Sequence, residues 1–285
     1  MTADVLKVAM LQLTSGDDPY ANLAETIPLL RKAAAGGAEL VLTPEVTNLL
    51  SPDRARQTEM LKPESEDPTL AALRTEARAA GIWLLIGSLA LKGDNPEDER
   101  FANRSFLIDP EGEITARYDK LHMFDVTISE TERYRESAAY RPGDRAVLAQ
   151  AAGQPLGMTI CYDLRFPELY LRLAQAGARL ITVPSAFSTI TGKAHWEVLL
   201  RARAIETGCF ILAPAQCGTH PAPHSPDRQP RQSFGHSLAV DPWGKVLANG
   251  GTVPGVSFVS LDLQAVDRAR SRIPSLRHGR PFEGP

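Results

Sequence analysis

Short apolar segments alternate with segments of helical character along this chain of 285 residues. The helical segments start at residues typical of helix N-termini, such as Asp18-Pro19, and stop at glycines such as Gly81. The apolar runs between them have the length and bounding residues of buried strands. In the first half, the pattern predicts strands at 6–13, 39–43 and 82–88, with helices from residue 19 toward residue 36 and over 68–80.

The second half repeats this order, and it adds paired strand-like runs joined by turn residues. Strands are predicted at 154–160, 178–183, 209–215 and 255–261, helices at 167–176 and 194–206, and hairpins at 101–118 and 235–248. Strands that alternate with helices, combined with hairpins, predict an α/β fold with mixed sheets and helices on their faces.

The organisation of the chain indicates one folding unit. No linker interrupts the pattern, so we predict a single domain over 1–285 with a helical tail from about residue 263. The remaining long segments, 45–67, 119–144 and 216–233, are predicted to be loops, and loops of such length are often functional.

Charge and composition disfavour several classes of protein. The 31 basic and 34 acidic residues give a net charge of −3, which is unlike a nucleic-acid-binding protein. The N-terminal apolar run has no basic segment before it and is interrupted by Lys7 and Gln12, so we expect a strand there and not a signal peptide. No uncharged run reaches the ~20 apolar residues of a membrane span. Three cysteines are too few for a disulfide framework. We therefore expect a cytoplasmic protein whose partner is a small molecule, with no nucleic acid and no membrane.

Reactive side chains follow two of the predicted strands. Glu45 comes after the strand at 39–43, and Cys161 comes after the strand at 154–160. Lys120 lies in the segment that follows the first hairpin. Sites in open α/β sheets gather at the carboxyl ends of strands, and a thiol becomes a nucleophile when a base removes its proton. From the residues alone, a buried apolar role for Cys161 and a surface role for Glu45 stay open.

Three segments around these residues resemble the catalytic blocks of the carbon–nitrogen hydrolase (nitrilase) superfamily: TPEVTN, YDKLHMFD and ICYDLRFPELY. Glu136 in RYRESAAYRPGD matches the second glutamate of that superfamily. The resemblance implies that Cys161 is the nucleophile and that Glu45 transfers protons. It implies that Lys120 and the backbone N–H of Tyr162 stabilise an oxyanion, and that Glu136 orients Lys120 or contacts the substrate.

The same resemblance implies a fold, an assembly and a substrate class. The fold is a four-layer α-β-β-α sandwich with mixed sheets, assembled into a homodimer or a higher homo-oligomer, and the reaction needs neither a metal nor an organic cofactor. Residues 184–220 and 235–244 are similar to the branch that hydrolyses deaminated glutathione to 2-oxoglutarate and cysteinylglycine. The alternatives are an omega-amidase acting on 2-oxoglutaramate, another small amide or nitrile hydrolase, and a catalytically silent binding protein.

Four residues are candidates for substrate binding: Tyr162, Arg165, Phe187 and His195. Arg165 could contact a substrate carboxylate or form an ion pair with Glu168, and the internal ion pair is the simpler interpretation. His195 is expected to line the pocket or to cap its helix.

Two other uses of cysteine and histidine are weaker interpretations. A zinc site could use Cys217, His220 and His224, but a second cysteine pair is missing and a mobile loop near the substrate entrance is preferred. A Cys–His protease would pair Cys161 with a histidine such as His195 or His236, but no protease signature surrounds the cysteine. Of the other cysteines, Cys209 is predicted to lie in the core, and packing is also favoured for Cys217.

Overall fold

The computed structural model describes residues 5–93, 97–128 and 133–284. The first half contains, in order, β1 (Val5–Gln12), α1 (Pro19–Ala35), β2 (Leu40–Leu42), α2 (Arg54–Met60), α3 (Pro68–Ala80), β3 (Trp83–Leu91), β4 (Phe101–Ile108), β5 (Ile114–Asp119), β6 (Asp125–Thr127), β7 (Arg133–Arg135) and β8 (Tyr140–Arg141). The second half contains β9 (Val147–Ala151), β10 (Gln154–Met158), α4 (Pro167–Gln175), β11 (Leu180–Thr182), α5 (Thr189–Thr207), β12 (Phe210–Ala213), β13 (Cys217–Thr219), β14 (Gln232–Phe234), β15 (Leu238–Val240), β16 (Val246–Asn249), β17 (Gly255–Asp262), α6 (Gln264–Arg272) and α7 (Ser275–His278).

The strands form two large mixed sheets. The first has the order β17-β1-β2-β3-β4-β5 with β8 beside β4, and the second has the order β16-β15-β12-β11-β10-β9. In each sheet the three central strands are parallel and their outer neighbours are antiparallel. Glu45 follows β2 and Cys161 follows β10, so each lies beyond the carboxyl end of a parallel strand.

Side chains on alternate faces of β1 show how the layers stack. Val8 and Met10 join a core that includes Leu156 of the second sheet. Ala9 and Leu11 belong to a separate core with residues of α1 and α3. Successive strand residues point to opposite faces, so the first sheet packs against helices on one side and against the second sheet on the other. Helices α4 and α5 pack on the second sheet, and the predicted α-β-β-α sandwich is confirmed.

The ends of the predicted helices agree with the structure except at α5. Asp18 and Asp67 cap α1 and α3 by accepting backbone hydrogen bonds, and α3 ends at Gly81 with φ +63°. Helix α5 begins at Thr189 and not at the predicted residue 194. A Cβ at Gly192 would lie 2.3 Å from the ring of Phe234, so β14 packs directly against these first turns. That tertiary contact stabilises helical residues whose local propensity is low.

Each of the three predicted loops contains short regular structure. The segment 45–67 includes α2, the segment 119–144 includes the pair β6 and β7, and the ends of the segment 216–233 take part in the pair β13 and β14. Within the ranges that the structure describes, no helix is both long enough and apolar enough to cross a membrane.

Candidate active site

The four predicted catalytic side chains come together between the two sheets. The ammonium of Lys120 lies 3.0 Å from Oε1 of Glu45 and 2.8 Å from each carboxylate oxygen of Glu136. The thiol of Cys161 lies beside the Glu45 carboxylate, close enough for each group to shift the pKa of the other. Cys161, Glu45 and Lys120 are 8%, 4% and 2% exposed, respectively. The cluster is therefore almost fully shielded from water, which strengthens the interactions among its charges.

Backbone strain marks the two reactive segments. Cys161 begins a short 3₁₀ helix, Cys161–Arg165, with φ at +47°, and its N–H donates to the carbonyl of Pro184 at 2.9 Å. Val46, next to Glu45, has φ at +49°, and its N–H donates to Oγ of Ser88 at 2.8 Å. A residue other than glycine with φ in this left-handed range costs about 1–3 kcal/mol, and such backbone strain is concentrated at functional sites.

The buried carboxylate of Asp163 fastens the nucleophile turn to the loop that follows β5. It accepts hydrogen bonds from the N–H of Ile160 at 2.8 Å, the hydroxyl of Tyr118 at 2.6 Å and the N–H of His122 at 3.1 Å. Nδ1 of His122 lies 2.7 Å from the same carboxylate. These contacts hold the two segments in fixed relative positions.

Several hydrogen-bond donors that hold the glutamates were not foreseen from the sequence. The side-chain amide of Asn103 donates to Glu45 at 2.9 Å and to Glu136 at 3.4 Å. The N–H of Ala186 donates to Oε2 of Glu45 at 2.8 Å, and the N–H of Phe124 donates to Glu136 at 2.6 Å. An asparagine inside the apolar run 101–108 was a usable signal, whereas the backbone donors leave no trace in the sequence.

The charges set the protonation state of the site. Burial favours the neutral form of Glu45, but the charges of Lys120 and Arg231 outweigh it and hold the pKa of this carboxyl below its ordinary value. Burial, followed by the carboxylate of Glu45, raises the pKa of the Cys161 thiol. Burial opposes the charge on Lys120, but Glu136 and Glu45 raise the pKa of its ammonium. At neutral pH the site therefore holds a thiol beside a carboxylate base and a permanent cation.

Three of the predicted substrate-binding residues form one group. Nη2 of Arg165 lies 3.2 Å from Nδ1 of His195, and its guanidinium carbon lies 5.5 Å from the ring centre of Phe187. The expected ion pair between Arg165 and Glu168 is wrong, because Glu168 pairs with Arg172 one helical turn further along α4 at 2.7 Å. Arg165 is thus left without that acidic partner.

Two expectations remain for the predicted substrate-binding residues: the position of Tyr162 and the helix cap at His195. The ring of Tyr162 packs against Phe124 and Phe166 at centroid distances of 5.0 Å and 5.4 Å. As the second residue of the 3₁₀ helix, Tyr162 has a backbone N–H without an intrahelical acceptor. His195 lies inside α5, which begins at Thr189, so the interpretation as a helix cap is wrong.

Arg231 is a further charged residue at the site, and no role was predicted for it. It precedes β14, and its Nη2 donates to the carbonyl of Ala186 at 2.6 Å. Its guanidinium carbon lies 5.7 Å from the ring centre of Tyr134. Its charge also helps to lower the pKa of Glu45, so it belongs to the electrostatic environment of the proton-transfer group.

The proposed zinc ligands are engaged in other contacts. Nδ1 of His220 donates to the carbonyl of Ser15 and Nε2 accepts from Ser233, each at 2.8 Å. Burial, helped by the charge of Arg231, lowers the pKa of His220 to about 4, so the ring is neutral. His220 is 1% exposed, so its side chain is enclosed by the protein. In the described parts of the chain, no three His, Cys, Asp or Glu side chains form a group suited to a metal.

The remaining cysteines pack inside the protein. Cys209 is fully buried in the main core, as predicted. Cys217 is also fully buried, with Sγ 3.4 Å from Oγ1 of Thr14, so the packing interpretation is confirmed there too. The partner of the Cys161 thiol is Glu45 and not the histidine that a Cys–His protease requires.

A family model, a relative in sequence and two solved structures all indicate the same family. The carbon–nitrogen hydrolase family model matches residues 7–271. A deaminated glutathione amidase from Yersinia enterocolitica is 41% identical over 274 residues, which are 96% of this chain and 92% of that protein. The crystal structure of the C. elegans NitFhit protein superimposes with a TM-score of 0.87 at 36% identity, over 98% of this chain and 66% of the longer one. An amidase from Nesterenkonia sp. AN1, with acrylamide added at its active-site cysteine, has a TM-score of 0.74 at 28% identity over 94% of this chain and 98% of its own.

Proposed function

Since the chain belongs to the carbon–nitrogen hydrolase family, its reaction is hydrolysis of a non-peptide carbon–nitrogen bond, and we propose that this bond is the amide of deaminated glutathione. The products are 2-oxoglutarate and cysteinylglycine. The observation that carries the chemistry is the buried carboxylate of Glu45, which lies 3.0 Å from the ammonium of Lys120 and beside the thiol of Cys161. The name of the Yersinia relative supports the choice of substrate.

The first half of the reaction forms a thioester. Glu45 takes the thiol proton as Cys161 attacks the amide carbonyl carbon. The developing oxyanion is stabilised by the ammonium of Lys120 and by the N–H of Tyr162. Glu136 keeps Lys120 charged and in place through its two 2.8 Å contacts.

The second half releases the products without any cofactor. Glu45 passes its proton to the leaving amine, the C–N bond breaks, and cysteinylglycine departs. The same carboxylate then takes a proton from a water molecule, which attacks the thioester carbonyl. The C–S bond breaks, the sulfur recovers a proton from Glu45, and 2-oxoglutarate leaves. One carboxylate therefore serves both halves, consistent with its depressed pKa and its contact with the sulfur.

The group formed by Arg165, Phe187 and His195 is proposed to bind the acyl part of the substrate. Arg165 lies four residues after the nucleophile in the same 3₁₀ helix. Arg165 has no acidic partner in the described part of the chain, and such a guanidinium suits the carboxylate of a 2-oxoglutaryl group. The Phe187 ring offers apolar contact to the methylene carbons of that group.

The substrate proposal is tested by comparing kcat/KM for deaminated glutathione, 2-oxoglutaramate and simple aliphatic amides. We expect deaminated glutathione to exceed the other substrates by at least about tenfold, because it offers additional polar groups for binding in the transition state. A preference for 2-oxoglutaramate would reject the proposed substrate while leaving the thiol mechanism intact.

We further propose a cytoplasmic homodimer. Ile190, Val198 and Ile205 lie along one face of α5 and are 52%, 67% and 55% exposed, and Leu171 of α4 is 39% exposed. An apolar stripe of this kind on neighbouring helices is typical of a surface that a second subunit covers. The three cysteines are free and buried, which suits a reducing compartment.

Light scattering during gel filtration tests the dimer. We expect a dimeric mass for the protein and a shift toward monomer for Val198→Lys, because a charge would be buried at the centre of the stripe. Val253→Lys is the matched control, since Val253 is 68% exposed but lies in the turn before β17. A monomeric mass for the unmodified protein at micromolar concentration would refute the assembly.

A further inference from the structure

Arg231 is held beside the catalytic carboxylate by the protein backbone. Its Nη2 donates to the carbonyl of Ala186 at 2.6 Å, and the N–H of the same Ala186 donates to Glu45 at 2.8 Å. The carbonyl of Arg231 accepts a hydrogen bond from the N–H of His220 at 2.9 Å. Both the backbone and the guanidinium of Arg231 are therefore anchored close to the group that transfers protons.

Part of this guanidinium is left without a partner. Within residues 5–93, 97–128 and 133–284, Arg231 forms no ion pair, and its Nε is buried with no hydrogen-bond acceptor. A buried donor without an acceptor is costly, and most such groups in proteins have a functional partner or a bound water. A partly exposed guanidinium with unused donors is suited to a carboxylate ligand.

The mechanism fixes which part of the substrate lies near Arg231. Glu45 must come within hydrogen-bond distance of the leaving amine in order to protonate it. The groups attached to that nitrogen therefore extend from the Glu45 side of the scissile bond. The cations that act on Glu45 there are Lys120, which two glutamates already bind, and Arg231, which no carboxylate in the described residues binds.

Arg165 occupies a different position. It lies in the nucleophile turn beside Phe187 and His195. Among the described residues, the site thus presents one guanidinium without an acidic partner near the nucleophile turn and a second one near the proton-transfer group. Deaminated glutathione likewise carries two carboxylates, one on the 2-oxoglutaryl group and one on the glycine of the leaving cysteinylglycine.

We propose that Arg231 determines specificity by binding the carboxylate of the leaving group. This inference rests on the proposed function and deepens it: Arg231 selects amides whose amine carries a distal carboxylate over primary amides. 2-Oxoglutaramate shares the acyl group but releases ammonia, so it has nothing for Arg231 to bind.

The test measures kcat/KM of the unmodified protein and of Arg231→Gln on three substrates: deaminated glutathione, its C-terminal amide and 2-oxoglutaramate. For Arg231→Gln we expect a loss of about 10- to 100-fold on deaminated glutathione, mainly as a higher KM, which is the size of a lost charge-assisted hydrogen bond. The loss of kcat/KM on the other two substrates should be at least about tenfold smaller, because there Arg231→Gln acts only through its effect on Glu45. Arg231→Lys keeps the charge and should recover part of the preference.

Arg228→Gln is the matched control, because Arg228 is an exposed arginine of the same segment, and it should keep the ratio between substrates unchanged. Thermal unfolding checks that each variant is folded. If Arg231→Gln loses equal activity on all three substrates, Arg231 acts only through Glu45 and the inference is wrong, although the proposed function stands. If the unmodified protein hydrolyses deaminated glutathione no better than 2-oxoglutaramate, the proposed function fails and the inference fails with it.

Discussion

Replacing Cys161 with serine is expected to lower kcat/KM by at least about 10⁴-fold, a loss in the range seen when other hydrolases lose their nucleophile. Serine is almost isosteric and should keep its side chain beside Glu45. Its hydroxyl, however, is far less acidic than a thiol, and Glu45 is a weak base because Lys120 and Arg231 lower its pKa in spite of burial. A carboxylate of this kind deprotonates an alcohol much less readily than a thiol, and the amide carbonyl attacked in this step is less reactive than the thioester that water attacks later.

Steady-state kinetics on deaminated glutathione measure the loss, and mass spectrometry of the protein mixed with substrate should detect a 2-oxoglutaryl thioester that is absent from Cys161→Ser. Cys209→Ser is the matched control, because Cys209 is another buried cysteine and lies in the main core, one residue before β12. It should keep kcat/KM close to that of the unmodified protein. If Cys161→Ser folds normally and retains full activity, the nucleophile has been assigned to the wrong residue.

The features of the fold that could be predicted from the sequence are those determined by neighbouring residues. Asp18 caps the start of α1 and Gly81 ends α3 as expected, because a capping carboxylate and a left-handed glycine act within a few residues of the helix ends. The strands before Glu45 and Cys161 were also located correctly, since short apolar runs bounded by turn residues indicate buried strands. The four-layer arrangement, by contrast, came from the resemblance and not from the local pattern.

The contacts that could not be predicted from the sequence join residues that are distant along the chain. Arg231 bonds to Ala186 across 45 positions, and Asn103 bonds to Glu45 across 58 positions. Local propensity says nothing about such pairs, because they depend on how the two sheets meet. The early start of α5 has the same origin, since it depends on packing against β14.

The ammonium of Lys120 is the counter-charge of the buried Glu45 and the partly buried Glu136, so Lys120→Met is expected to damage both activity and stability. Removing one oxyanion donor typically costs about 10²–10³-fold in rate. Leaving Glu45 and Glu136 without this partner is expected to lower the free energy of unfolding by about 3–5 kcal/mol at pH 7, as for other broken buried ion pairs. Methionine is a suitable replacement because it is unbranched, of similar length and uncharged.

The dependence of that destabilisation on pH distinguishes lost charge compensation from lost packing. In the unmodified protein the pKa of Glu45 is lowered, although burial opposes this, so its ionised form stabilises the fold above the unfolded pKa of ~4.3 and this contribution is lost as the pH falls through the folded pKa. In Lys120→Met, burial and the neighbouring carboxylate should raise the pKa of Glu45 above its unfolded value. The folded variant then binds more protons than the unfolded chain, and its stability increases as the pH falls.

The difference in unfolding free energy between the two proteins should therefore be largest near pH 7 and should shrink toward pH 5, as measured by urea unfolding at several pH values. Lys62→Met provides the control, because Lys62 is an exposed lysine and its loss should change stability little at any pH. If the destabilisation by Lys120→Met stayed constant between pH 5 and pH 7, the lost stabilisation would come from packing. In that case Lys120 would not be the cation that keeps Glu45 ionised, and the proton transfer proposed for Glu45 would lose its electrostatic basis.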